Sequence, residues 1–205
     1  METQDFIAKA VSGGPSRGHH LSLPNVLTYG RILAVPALGA VYLFLEGDQR
    51  RWIALMIFVA ACLTDWLDGY LARALNQQST LGRMLDPIAD KLLVGTALIL
   101  LVHDNTLDHF NIWAAIIILC REILVSGLRE FLAELNVKVH VTRLAKWKTT
   151  LQMIALGVLI AGPAGNKVVP GVMVTGTMLL WVAAILTLWT GAGYFKAAIN
   201  SALDL

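Results

Sequence analysis

Four aspartates stand out by their spacing: Asp65 and Asp68, then Asp86 and Asp90. Residues three or four apart on a helix share a face, so each pair projects to one side. Gly69 and Ala72 continue the first face with almost no side chain, and Gly82 precedes Asp86 at the same four-residue step. Two neighbouring helices joined by a short turn would set four carboxylates around a space with room for a ligand. Carboxylate oxygens are hard ligands that suit Mg²⁺ or Mn²⁺. Two such ions balance four negative charges, and Arg73 and Arg83 remain nearby to meet the charge of a substrate. A metal pair of this kind serves phosphoryl transfer. A carboxylate not fully used by metal can take the proton from an attacking hydroxyl. Asp90, at the far end of the row, is the candidate for that role.

The elements that must carry these residues are membrane helices. Of 205 residues, 57% are hydrophobic and only 15% charged, with mean hydropathy +0.66. Soluble domains carry about 25% charged residues. The composition excludes a soluble globule, a disordered chain and a nucleic-acid binder. At roughly 20 residues per span, the chain accommodates about six. Six apolar segments are expected, at about 27–46, 52–74, 82–103, 110–132, 148–166 and 169–195. Residues 1–20 have no apolar stretch and read as a flexible or interfacial tail, leaving 21–205 as one membrane domain. Cys62 and Cys120 are isolated in apolar runs and suggest no disulfide or metal motif.

Lys and Arg residues fix the expected topology. With six spans and a cytosolic amino terminus, every one except Arg50, Arg51 and Lys167 falls on the inner side. Both termini are then cytosolic. The four aspartates, Arg121 and Arg129 lie in the cytosolic halves of their segments, around a polar site open to the cytosol. His103, Asp104, Asp108 and His109 fall in an outer turn, read as solvated. Buried ionisable groups in membrane helices are costly and usually functional. Simple helix-end pairing of acids with arginines, or a proton or cation relay in a small transporter, are the alternatives that the residues themselves leave open.

The run from Asp65 to Asp90 fits the pattern D-x2-D-G-x2-A-R-x8-G-x3-D-x3-D without departure. It resembles the CDP-alcohol phosphotransferase family, and Pro24-Asn25-Val26-Leu27-Thr28-Tyr29-Gly30-Arg31 is similar to that family's first helix entry. The resemblance implies a fold of six transmembrane helices, commonly assembled as a homodimer. It also implies transfer of a phosphatidyl-type group from a CDP-linked donor to an alcohol, with release of CMP. Asp65, Asp68, Asp86 and Asp90 would hold two Mg²⁺ or Mn²⁺ ions, with Asp90 as the base. Asp68, Gly69, Ala72, Arg73 and Gly82 would receive the CDP moiety, with Asn25, Thr28 and Arg31 in support. An aromatic prenyltransferase also places two acidic motifs on membrane helices, but the short chain and the Gly69/Ala72/Arg73 set count against it.

The acceptor is read from cations elsewhere. Arg121 and Arg129, eight residues apart in R-E-I-L-V-S-G-L-R-E, and Lys148 in K-x-K-T-T point to an anionic acceptor, because arginine and lysine both bind phosphate. Lys138, Arg143 and Lys146 read better as contacts to anionic lipid. Both stretches are similar to the branch of the family that uses sn-glycerol 3-phosphate, although Ala145 stands where that branch often has glycine. That likeness implies CDP-diacylglycerol as donor, phosphatidylglycerol phosphate as product, and a bacterial inner membrane as the setting. An inositol phosphate is the alternative acceptor.

Overall fold

The computed structural model describes residues 23–74, 80–135, 137 and 143–203, which are helical apart from short links. Side chains of Asn25, of residues 68–74 and of Arg83 lie outside the described set, as does the whole 1–20 tail. Six long helices follow in order: α1 (Leu23–Phe44), α2 (Gly47–Ala74), α3 (Thr80–His103), α4 (Ile112–Glu134), α5 (Arg143–Val168) and α6 (Val172–Leu203). A short 3₁₀ turn, His109–Asn111, leads into α4. Among the described residues there is no β-strand.

Stretches of α1, α4, α5 and α6 are long and apolar enough to cross a membrane: Val26–Phe44, His109–Ala133, Trp147–Val168 and Val172–Asn200. The sequence suggested six such segments. α2 and α3 have the length, at 28 and 24 residues, but they carry the acids and bases of the Asp65–Asp90 run. Large exposed apolar side chains, such as Leu33, Met56, Ile99, Ile123, Met178 and Trp189, cover the outside of the bundle. In water that surface would be untenable, and in lipid it is the expected one. The protein is a helical membrane protein.

α1 packs on α2 and α3, α5 packs on α2 and most extensively on α6, and α4 packs against α6. The centre is a solid layer of Leu38, Phe58, Leu98, Leu101, Ile118, Leu156, Leu159 and Leu180, none more than 2% exposed. Small residues let the helices close. A Cβ on Gly176 would sit 2.9 Å from the Leu159 side chain, so α5 and α6 meet there without one.

Below this layer, at the end opposite the aspartates, lies a set of charges that corrects the sequence reading. Asp104 is not in a solvated turn; its carboxylate is 2% exposed and pairs with Arg51 at 2.8 Å. Arg51 also donates to Thr106 Oγ1 at 2.7 Å. Its Nη1 reaches the carbonyls of Leu159 and Ile160 at 3.4 and 3.5 Å. Those carbonyls precede a break in α5 at Gly162, where φ is 45° and ψ −126°, followed by Pro163. Proline has no N–H to donate to the carbonyl four residues back, which here is Leu159. Arg51 supplies a replacement donor, as backbone groups in a membrane helix require. α2 therefore begins at Gly47 rather than near residue 52, because the charges of its first turns are paired. Asp48 likewise binds Lys167 at 2.6 Å.

Candidate active site

At the other end, α2, α3, α4, α5 and α6 surround a cavity of about 530 Å³. Its wall carries Asp65 from α2, Asp86, Asp90 and Lys91 from α3, and Arg121, Glu122, Ser126 and Arg129 from α4. α5 adds Lys148, Thr149 and Thr150, and α6 adds Tyr194. Three of the four aspartates singled out by spacing thus face one space, together with all three cations expected to meet an anionic acceptor.

α1 supports this wall from behind. Arg31, 1% exposed, pairs through Nη1 with Asp65 Oδ1 at 2.6 Å. Thr28, one turn earlier and also buried, donates its hydroxyl to Asp86 Oδ1 at 2.7 Å. One helix therefore orients an acid on each of two others. Pro87 lies inside α3 between Asp86 and Asp90, and Lys91 Nζ donates to its carbonyl at 2.9 Å. Lys91 is thereby held beside the acids rather than extended into solvent.

The cationic wall is built differently. Arg121 spends its guanidinium on neighbours: Nε donates to the Thr187 carbonyl at 3.0 Å, Nη2 to Thr190 Oγ1 at 3.2 Å, and Nη1 to Glu122 Oε1 at 3.1 Å. Gly191 makes room, since a Cβ there would stand 3.4 Å from Arg121 Nε. Lys148, 3% exposed, donates to the same Glu122 oxygen at 2.6 Å. Arg129 is exposed on the cavity wall and has no ion-pair partner among the described residues.

Asp68, Gly69, Ala72 and Arg73 continue the α2 backbone, but their side chains lie outside the described residues, as does that of Asn25. Gly82 is buried in the first turn of α3. Tyr194 and the two threonines that hold Arg121 were not expected from the sequence. A signal existed: Thr187, Thr190, Gly191 and Tyr194 step along one helical face of an otherwise apolar segment.

Asp65, Asp86 and Asp90 offer only carboxylate oxygens, the donor set of a hard divalent cation. Asp86 has one oxygen oriented by Thr28, which favours a fixed ligand direction. Among the described residues no three of these groups converge into a metal cluster, with the Asp68 side chain outside that set. The donor chemistry fits.

The CDP-alcohol phosphatidyltransferase family matches residues 21–189, which include every cavity residue except Tyr194. The chain belongs to that family. Members of the family are generally dependent on a divalent metal. A relative from Rickettsia typhi named CDP-diacylglycerol–glycerol-3-phosphate 3-phosphatidyltransferase is 46% identical over 176 residues, covering 86% of this chain and 96% of its own. Relatives of the same name from Haemophilus influenzae and Cereibacter sphaeroides are 40% and 37% identical. They cover 89% and 87% of this chain, and 96% of each relative. For a family member, the acid-lined and cation-lined walls acquire distinct roles.

Proposed function

We propose that this protein transfers the phosphatidyl group of CDP-diacylglycerol to sn-glycerol 3-phosphate, giving phosphatidylglycerol phosphate and CMP. The observation that carries the reading is one cavity with carboxylates on one wall and Arg129, Lys148 and Arg121 on the facing helices. The relatives named for this reaction, at 37–46% identity over most of the chain, support the choice of acceptor.

Asp65, Asp68, Asp86 and Asp90 would hold two Mg²⁺ or Mn²⁺ ions, which when bound neutralise diphosphate oxygens and ease departure of CMP. Asp68, Gly69, Ala72, Arg73 and Gly82 bind the CDP moiety. Arg129 and Lys148 grip the acceptor phosphate, with Arg121 of α4, tied to Thr187 and Thr190 of α6, bracing Lys148 by way of Glu122. So held, a hydroxyl of glycerol 3-phosphate attacks the donor phosphorus that bears the diacylglycerol. The new O–P bond forms as the bridging P–O bond to CMP breaks, and the hydroxyl proton passes to the Asp90 carboxylate. Holding both reactants in line removes much of the entropic barrier. The enzyme sits with six spans in a bacterial inner membrane, as a homodimer, with both termini and the cavity on the cytosolic side. Of the 16 Lys and Arg residues, the sequence reading places only Arg50, Arg51 and Lys167 at the opposite end, which supports this orientation.

The test is CMP release by purified protein from CDP-diacylglycerol with Mg²⁺ and a panel of acceptors. Release is expected with glycerol 3-phosphate and is expected to stop on chelation. Release with an inositol phosphate but not with glycerol 3-phosphate would overturn the acceptor, and ion flux in liposomes without CMP release would overturn the reaction.

A further inference from the structure

Among the described residues, Glu122 is the cavity acid that pairs with the cations of α4 and α5. A single oxygen, Oε1, accepts from Lys148 at 2.6 Å and from Arg121 at 3.1 Å. The lysine comes from α5 and the arginine is pinned to α6 through Thr187 and Thr190, so Glu122 joins three helices at one point. The side chains of Lys148, Arg121 and Glu122 are 4%, 10% and 19% exposed. A lysine ammonium is a point charge on a flexible stem, with no preferred direction of its own. Buried without a partner it would be costly, so its position follows its counter-ion. Glu122 takes one of its three N–H groups, and no other partner is present among the described residues.

We propose that Glu122 is a positioning residue for the acceptor phosphate: it fixes the Lys148 ammonium on the cavity wall, with Arg121 fixing Glu122 in turn. This rests on the acceptor-phosphate reading given above and adds a residue that does not itself touch substrate. The effect of Glu122 then falls on acceptor binding through Lys148, more than on donor binding or on the proton transfer at Asp90.

A double-mutant cycle on CMP release tests it. Glu122→Gln keeps the shape and lowers the acceptor strength of the anchor. It should raise the KM for glycerol 3-phosphate about tenfold, with kcat and donor KM held within about twofold. Glu122→Asp, which keeps the charge but shortens the reach, should also raise the acceptor KM. Lys148→Met should raise it further, and Glu122→Gln in the Lys148→Met background should add nothing. An unchanged acceptor KM in Glu122→Gln overturns the proposal, and so do multiplying effects in the double variant. Loss of folded protein in both Glu122 variants also overturns it, since Glu122 then serves stability. If the wild type uses another phosphorylated alcohol, the assigned acceptor is wrong and the cycle is read with that alcohol. If it uses only unphosphorylated alcohols, both readings fail.

Discussion

Arg31 lies beneath Asp65, with the buried guanidinium 2.6 Å from one carboxylate oxygen while the aspartate side chain remains 49% exposed to the cavity. The pair is asymmetric: the cation is sealed in the bundle and the anion faces the space where chemistry is proposed. An aspartate so braced commits one oxygen to its support.

The bracing should be measurable. Arg31→Met is expected to raise the Mg²⁺ concentration needed for half-maximal CMP release by about 10–100-fold, the usual cost of losing support behind a metal ligand. An unchanged Mg²⁺ dependence would make the pair purely structural.

Thr28 allows a finer test because a conservative partner exists. Thr28→Val removes the hydroxyl that donates to Asp86 and should also weaken the apparent Mg²⁺ affinity by about 10-fold or more. Thr28→Ser, which keeps the donor, should remain near wild type. Equal behaviour of the two variants would exclude the hydrogen bond as the cause.

Asp90→Asn should nearly abolish turnover while leaving CDP-diacylglycerol binding measurable by isothermal titration or by competition with CMP. The amide keeps the size and loses the basic oxygen. Wild-type turnover in this variant would move the base elsewhere.

Arg129 and Arg121 line the same wall but should respond differently. Arg129→Ala is expected to raise the KM for glycerol 3-phosphate with kcat little changed, the signature of lost binding. Arg121→Ala should in addition lower thermal stability, because its guanidinium ties α4 to Thr187 and Thr190 of α6. A melting scan in detergent separates the two.

Gly162→Ala probes the opposite end. The residue has φ of 45°, and its Cβ would stand 2.8 Å from Arg51 Nη1. Backbone strain of this kind costs about 1–3 kcal/mol, and the displaced arginine adds to it. The variant should melt at a lower temperature, yet show wild-type KM values when assayed cold.

Much of this was legible beforehand. Asp86 and Asp90 were placed on one face by helical spacing, because a period of 3.6 residues converts sequence separation into a shared face, and Asp65 joined them only through the expectation that the two helices are neighbours. Segment ends were less legible where charge interrupts apolarity. α2 was expected from residue 52 and begins at Gly47, while α5 was expected from residue 148 and begins at Arg143. Hydropathy stops at a charge, whereas a helix continues through it when a partner is at hand, as Asp104 is for Arg51. That partner comes from another helix, so its presence is a fact of packing. The same holds for Thr187 and Thr190 around Arg121: the residues were in view, but nothing local says which neighbour they hold.

The dry layer between the two ends of the bundle has an electrical consequence. Phe58, Leu98, Ile118, Leu156 and Leu180 separate the acid-lined cavity from the Arg51–Asp104 charges by side chains with no polar atoms. An ion or proton crossing that layer would lose its hydration with nothing offered in return. Chemistry at the acid-lined end can thus proceed without opening a path for ions to the other end of the bundle.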